Sequence, residues 1–140
     1  MLVQFYIADT KITLKERTRL KGFIISIFLK EGKRLTSINY IFCSDEYLLN
    51  INYEFLKHDY YTDIITFNLS GIQDPINGEV YISIDRVIEN AKSLNASLQN
   101  ELHRVIFHGV LHLCGYKDKK TADKNLMRKL EDKYLNSYFK

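Results

Sequence analysis

Two histidines stand four residues apart in the segment His108 to Asp118, which reads His-Gly-Val-Leu-His-Leu-Cys-Gly-Tyr-Lys-Asp. On an α-helix, residues i and i+4 lie on one face about a turn apart, so the rings of His108 and His112 can point at one ion. Gly115 can take a left-handed conformation that ends the helix, and the chain then turns back and brings Asp118 toward the rings. The spacing predicts three metal ligands and one open position, the arrangement of a catalytic zinc site.

The same segment also admits plainer interpretations. A histidine pair at this spacing is often two unrelated polar residues, and Asp118 stands among Lys117, Lys119 and Lys120 as a solvated turn residue would. The whole pattern favours a metal site, because it has the spacing of the zincin peptidases with three ligands. In those peptidases a Glu follows the first His as general base, whereas here Gly109 cannot move a proton. The segment therefore predicts metal binding and does not support peptidase chemistry.

The histidine block resembles that of the YbeY family, bacterial metal-dependent endoribonucleases involved in ribosomal RNA maturation, whose motif is H-G-x-L-H-L-x-G-Y-D-H. The matching positions are His108, Gly109, Leu111, His112, Leu113, Gly115 and Tyr116. Other segments are similar to further family blocks: Ile51-Asn52 with Phe55 to L-N-x-x-Y, residues 62–67 to T-D-V-L-S-F, and Gly78-Glu79-Val80 to G-D-I.

Two departures from the family pattern bear on function. Asp118 stands where the family usually has its third His, and the added negative charge lowers the net charge of a zinc site. A carboxylate also suits harder ions, so manganese or another divalent metal stays open beside the single zinc ion that we expect. The family commonly has an Arg after the aromatic residue of L-N-x-x-Y, and here that position is Leu56. Lys57 or Arg104 is expected to contact RNA in its place.

The elements that must position these residues alternate between strands and helices. Strand patterns cover Leu2 to Ile7, Ser37 to Cys43, Asp63 to Leu69 and Glu79 to Ile84, with Asn77-Gly78 as a turn into the last of them. Helices are expected from the capping box Thr13 to Glu16 as far as Gly32, from Ser44 to about Phe55, and after caps at Asp85, Ser97 and Thr121. The order βαβαββααα predicts an α+β fold, a small mixed four-stranded sheet with helices packed on it and a zincin-like metal helix.

Whole-chain properties are those of an ordinary globular domain. A chain of 140 residues is expected to form one domain, 1–140, without disulfide staples. No apolar run is long enough to span a bilayer, and Met1 to Phe5 has a strand pattern unlike a signal peptide, so a cytoplasmic location is expected. Cys43 and Cys114 are expected to be reduced and buried, because they lie in a strand and in the motif helix.

Basic residues concentrate in two parts of the chain. The segment from Lys11 to Arg34 contains eight basic and two acidic residues, and the segment from Lys117 to Lys140 contains eight basic and four acidic residues. Such faces can hold a nucleic acid by its phosphates without reading its sequence. A solvated helix face is the alternative.

The resemblance implies a single-strand-specific endoribonuclease that acts in 16S rRNA 3′-end maturation and ribosome quality control. Its expected partners are single-stranded RNA, ribosomal RNA and the small ribosomal subunit, with no membrane and no DNA. A non-catalytic, metal-stabilised ribosome-assembly factor is the alternative, and a zinc metallopeptidase a further one.

Further residues near the histidines have expected roles. Arg104, one turn before His108, is expected to act with His108 and His112 in catalysis by binding a phosphate, with an ion pair to Glu101 or Glu131 as the alternative. Thr62 and Asp63 are expected to shape the cleft or to orient a ligand histidine. His103 is expected at the surface or beside the site, and His58 in a loop.

Overall fold

A four-stranded mixed sheet forms the centre of the computed structural model, which describes residues 1–140. Its strands are β1 (Leu2–Ile7), β2 (Leu35–Cys43), β3 (Ile64–Asn68) and β4 (Ile76–Ser83), in the spatial order β1-β2-β4-β3. The pairs β1–β2 and β2–β4 are parallel, and β3 is antiparallel to β4. The predicted α+β fold and mixed four-stranded sheet are therefore confirmed.

Five helices cover the sheet, namely α1 (Arg17–Lys30), α2 (Asp45–Leu56), α3 (Ile84–Ser93), α4 (Leu98–Leu113) and α5 (Thr121–Tyr138). The histidine-bearing helix α4 contacts β3, β4, α1, α3 and α5, so it lies at the centre of the fold. Helix α2 packs against β3, β4 and α3. None of the five combines the length and the apolar character needed to cross a membrane.

Buried apolar side chains hold α4 against the sheet. Its residues Leu102, Val105, Ile106 and Leu113 belong to the main core, as predicted, together with sheet residues such as Val80. A smaller cluster of Cys43, Leu48 and Ile65 lies beneath α2. The core face of α4 leaves His108 and His112 on another side, where both are half-buried.

The predicted capping box at the first helix is wrong. Helix α1 begins only at Arg17, and Glu16 has a left-handed backbone with φ 51° and makes no capping hydrogen bond through its side chain. Leu14 is nevertheless buried in the main core. It reaches the core from an irregular segment that precedes the helix, so its apolar character is explained by burial without a helical turn.

The predicted turn at Asn77-Gly78 is also wrong, because both residues lie inside β4. Asn77 pairs with Ser37 and accepts a hydrogen bond from its hydroxyl at 2.8 Å. A Cβ on Gly78 would lie 2.7 Å from Leu113 Cδ1, so the glycine admits α4 close to the strand. The predicted antiparallel pairing of β3 with β4 is confirmed.

Two predicted helix caps lie elsewhere. Ser83 caps α3, because its hydroxyl accepts from the Arg86 amide at 3.2 Å, while Asp85 accepts from the amide of Asp45. Helix α5 begins at Thr121 after Lys120, with no capping hydrogen bond from a side chain. The predicted caps at Ser44 and Ser97 are confirmed.

Helix α4 approaches the sheet most closely at Gly109. A Cβ there would lie 3.0 Å from Val80 Cγ1 and 3.2 Å from Ile64 Cδ1, tighter than ordinary packing. Val80 is fully buried and, as a β-branched residue, has little rotamer freedom to move away. The missing side chain at this position therefore has a packing reason, because it allows α4 to lie close to the sheet.

Gly109→Ala is expected to destabilise the protein. Overpacking costs about 1–3 kcal/mol and outweighs the gain of about 1 kcal/mol in helix propensity. Gly22→Ala in α1 is the matched control, because no atom lies within 4 Å of its new Cβ, and it should gain roughly 0.5–1 kcal/mol. Urea denaturation of both variants measures the difference, and equal stability would remove the close approach as a constraint.

The two cysteines are free and buried, as predicted. Burial raises the pKa of each thiol from its ordinary value to about 12. Only a minute fraction of each thiol is therefore thiolate at pH 8, and the thiolate is the reactive form.

We expect a disulfide reagent to leave both thiols unreacted in the folded protein and to titrate both in urea. Fast modification of either thiol in the folded protein would show that the thiol is accessible, against this expectation.

Candidate metal centre

Three side chains converge at the end of α4. The Nε2 atom of His108 lies 3.2 Å from Asp118 Oδ2, and the Nε2 atom of His112 lies 3.1 Å from the same oxygen. The two imidazole rings are 4.5 Å apart at 78°. One ligand atom from each of the three residues falls within 4.8 Å of the others. The structure thus brings together the three residues predicted to bind a metal.

The spacing of these atoms fits a divalent ion. Zinc bonds to nitrogen and oxygen at about 2.0–2.2 Å, so neighbouring ligands of a tetrahedral zinc are roughly 3.3 Å apart. The observed separations of 3.1 and 3.2 Å agree with that value. Cys114 is buried and is not part of this group. The residues present therefore suit a site with three protein ligands and one open position.

Hydrogen bonds fix which nitrogen of each ring faces the centre. The Nδ1 of His108 lies 2.6 Å from Glu131 Oε2, and the Nδ1 of His112 lies 3.0 Å from the Tyr116 carbonyl oxygen. A carbonyl and a carboxylate can only accept, so each Nδ1 carries the hydrogen and donates it. In a neutral ring, Nε2 is then the bare nitrogen, as a metal ligand must be.

The end of α4 brings the Tyr116 carbonyl and Asp118 into place. Gly115 has a φ of 106°, and its amide donates to His112 O at 3.0 Å. The amide of Tyr116 donates to Leu111 O at 3.0 Å. These two bonds form a Schellman motif, which needs a left-handed residue after the helix. The predicted helix end at Gly115 is confirmed, and it returns the chain toward the ligand face.

Glu131 connects α5 to the centre. Its side chain is only 6% exposed, and it accepts from His108 through Oε2 and from Arg104 Nη1 through Oε1 at 3.1 Å. Arg104 also reaches Asp132 at 2.7 Å and lies 3.7 Å from Glu101. Both ion-pair partners named for Arg104 from the sequence, Glu101 and Glu131, are thus in place, and its role in catalysis stays a prediction.

The acidic surroundings change the protonation of His108. Burial lowers the pKa of His108, but the hydrogen bond and negative charge of Glu131, together with Asp118 and Asp63, outweigh it, so the pKa lies above its ordinary value. Burial raises the pKa of Asp63, and the nearby His108 only partly offsets that effect. The carboxylates around His108 therefore favour positive charge at this centre.

Of the other residues predicted near the site, Thr62 and Asp63 lie beside the histidines and Lys57 does not. Thr62 and Asp63 line the same cavity of about 510 Å³ as His108, His112 and Asp118. Asp63 accepts from Asn90 Nδ2 at 3.1 Å. Lys57 is exposed at the end of α2, with its ammonium 5.9 Å from the Tyr53 ring, and does not line that cavity.

His103 corrects one expectation. It is buried, with 2% of its surface exposed, where a surface or site position is predicted. Its Nδ1 lies 2.7 Å from Gln99 O, and its ring stacks on Tyr138 at 5.2 Å and 24°. Burial lowers its pKa. His103 is therefore a core residue between α4 and α5.

Comparison with known proteins decides the family. Residues 4–139 match the family model described as Endoribonuclease YbeY. The chain belongs to the YbeY family. It is 49% identical over 132 residues to endoribonuclease YbeY of Cytophaga hutchinsonii, covering 94% of this chain and 92% of that one. It is 46% identical over 133 residues to that of Porphyromonas gingivalis, covering 95% and 87%.

The solution structure of TM1509 from Thermotoga maritima has a similar fold. The TM-score is 0.64 at 26% sequence identity, and the match covers 99% of this chain and 89% of that one. The resemblance to the YbeY family drawn from the histidine block is thus confirmed over nearly the whole chain. It includes the amino-terminal third, where the sequence motifs are weakest.

Sequence reasoning misses the contact of Glu131 with His108 and names Glu131 only as an ion-pair partner of Arg104. A signal for it exists in α5, where the buried residues are Met127, Glu131, Tyr134, Leu135 and Tyr138. A carboxylate in the middle of an apolar stripe needs a buried partner. The stripe does not indicate which residue Glu131 contacts, so only the packing of α4 on α5 identifies His108 as its partner.

Glu131→Gln is expected to weaken metal binding about 10–100-fold. The amide keeps the shape of the side chain but lacks the charge that holds the His108 ring and favours its Nδ1 hydrogen. Asp132→Asn is the matched control, because it removes another carboxylate from Arg104 without touching His108. Zinc affinity by competition with a chromophoric chelator measures both. Equal affinities would mean that Glu131 does not orient the ligand.

Proposed function

We propose that this protein is a single-strand-specific, metal-dependent endoribonuclease that acts in 16S ribosomal RNA 3′-end maturation and in ribosome quality control. Membership of the YbeY family supports the enzyme class, a hydrolase of RNA phosphodiester bonds. The observation that carries the proposal is the convergence of His108, His112 and Asp118 within 4.8 Å of one another. Its place of action is the cytoplasm, where ribosomal RNA and the small subunit are its partners.

The chain's own groups suit phosphate chemistry better than peptide chemistry. Position 109 has no carboxylate to act as general base, and its backbone is buried against the sheet. An RNA substrate brings its own nucleophile in the 2′-hydroxyl beside each phosphate, so cleavage does not require a base at that position. In their neutral forms His108 and His112 present bare Nε2 atoms, and Asp118 a carboxylate oxygen, toward the place where a phosphate would meet a cation.

Zinc is the ion we propose for the centre, with His108, His112 and Asp118 as its ligands. The chemistry that such an ion supplies when bound is polarisation of a phosphoryl oxygen, which makes the phosphorus more electrophilic. Two imidazoles with one carboxylate form a ligand set known from catalytic zinc sites. Glu131 and the Tyr116 carbonyl hold the two rings in position, so the ligands need little rearrangement to receive the ion.

Lysines surround one side of the centre. Lys117, Lys119 and Lys120 line a cavity of about 420 Å³ together with His112 and Asp118. Ammonium groups placed there attract phosphates without reading a sequence. Lys57 and Arg104 are the RNA contacts proposed from the sequence, and Arg104 would have to exchange its carboxylate partners for a phosphate. The lysines of the α4–α5 loop need no such exchange, so we place the main phosphate contact there.

Asp118→Ala is expected to abolish cleavage of a labelled single-stranded RNA and to lower bound zinc, because it removes the only anionic ligand of the group. Glu54→Ala, which removes an exposed carboxylate on α2, is the matched control and should keep both. The measurement pairs a gel assay of RNA cleavage with zinc content by mass spectrometry.

The outcomes of this experiment separate the hypotheses. No cleavage by the unmodified protein, with RNA binding intact after chelation, would indicate an assembly factor whose metal only stabilises the fold. Equal cleavage by Asp118→Ala and the unmodified protein would remove Asp118 from the site or reveal a contaminating nuclease.

A further inference from the structure

Aromatic side chains of the α2–β3 loop face the metal ligands. The cavity of about 510 Å³ that contains His108, His112 and Asp118 is also lined by His58 and Tyr60. Both loop side chains are exposed, and Tyr60 has 56% of its surface accessible. Two flat rings therefore form one wall of the cavity.

The two rings already form a stacked pair. Their centroids are 5.2 Å apart and their planes differ by only 20°. The Tyr60 hydroxyl lies 3.0 Å from His58 Nδ1, which fixes the rotation of each ring relative to the other. A preformed parallel pair offers a flat surface to a third ring at little further cost in side-chain entropy.

Asn52 holds the loop that carries this pair. It is a buried residue of α2, with 2% of its surface exposed, and its Nδ2 donates to Tyr60 O at 3.0 Å. Its backbone carbonyl accepts from the His58 amide at 3.2 Å. Lys57 between the helix and the loop has a left-handed φ of 59°. The backbone that carries the two rings is thus hydrogen-bonded to the end of a helix that packs on the sheet.

An exposed aromatic residue alone needs no functional explanation. Here the two rings are parallel, share one cavity with the metal ligands, and have Leu56 beside them as a further apolar lining residue. Lys119 lines this cavity as well, and Lys117 and Lys120 line a second cavity that shares His112 and Asp118 with it. Flat rings and cations around one centre match the two parts of a nucleotide, its base and its phosphate.

We propose that His58 and Tyr60 form a base-stacking subsite, which holds the base of an unpaired nucleotide next to the phosphodiester bond that is cleaved. The inference rests on the proposed function, and it assigns the source of single-strand specificity. A base held in a duplex stays stacked on its neighbours, whereas a base in a single strand can turn out onto a protein ring. The subsite accepts any base, because every base presents a π-face.

The test uses the full-length, zinc-loaded protein and a short single-stranded RNA that contains one 2-aminopurine, whose fluorescence falls when it stacks. Tyr60→Leu should raise KM for cleavage at least about five-fold, because one stacking partner is lost. It should also remove most of the quenching and leave zinc content unchanged. Tyr60→Phe keeps the ring and should restore the quenching. Tyr53→Leu is the matched control, because Tyr53 is equally exposed on α2 but does not line the cavity.

Each result bears on the subsite separately from the activity. Unchanged KM and quenching in Tyr60→Leu, with cleavage intact, would overturn the subsite and leave the endoribonuclease standing. Loss of kcat alone, without a change in KM or quenching, would also overturn it. Quenching that depends on Tyr60 in a protein that cleaves nothing would support the subsite while removing the proposed activity. Equal loss of quenching in Tyr53→Leu would assign the effect to general surface binding, against the proposal.

Discussion

The hydrogen bond between Glu131 and His108 is the interaction on which the rest of the site depends. A carboxylate that is 6% exposed is stable only when it is paired, and Glu131 pairs with His108 and with Arg104 at once. The same contact joins α5 to α4. The packing of the two helices and the orientation of the His108 ring therefore depend on the same contact, and a change that separates the helices also releases the ring.

The sheet adds a second constraint from the opposite side of α4. Gly109 and Gly78 lie where the helix and the strands meet, and each allows an approach that a side chain would block. Gly109 directly follows His108, so the position of the His108 ring depends on how closely α4 packs onto β3 and β4. The position where a zincin peptidase carries its catalytic Glu is here used for packing, and the two uses exclude each other.

The parts of this protein that depend on local spacing are predictable from sequence. His108, His112 and Asp118 belong to one helix and the turn after it, and four of the five helices and all four strands appear close to their expected bounds. Predictions fail where one residue type is used for two different structural purposes. Gly78 is read as a turn because glycine favours turns, while its use is to admit Leu113. Partners from distant segments, such as Glu131 for His108 and Tyr138 for His103, are set by packing that periodicity does not specify.

The three residues proposed as metal ligands lie within one short stretch of chain, from position 108 to position 118. Closing so short a loop costs little entropy, so the unfolded polypeptide can also chelate a divalent ion. Affinity for the unfolded chain subtracts from the stability that an ion gives the folded one. The Glu131 contact, made from a separate helix, is available only in the folded state. An ion bound at this centre is therefore expected to raise the melting temperature less than its affinity for the native protein alone would imply.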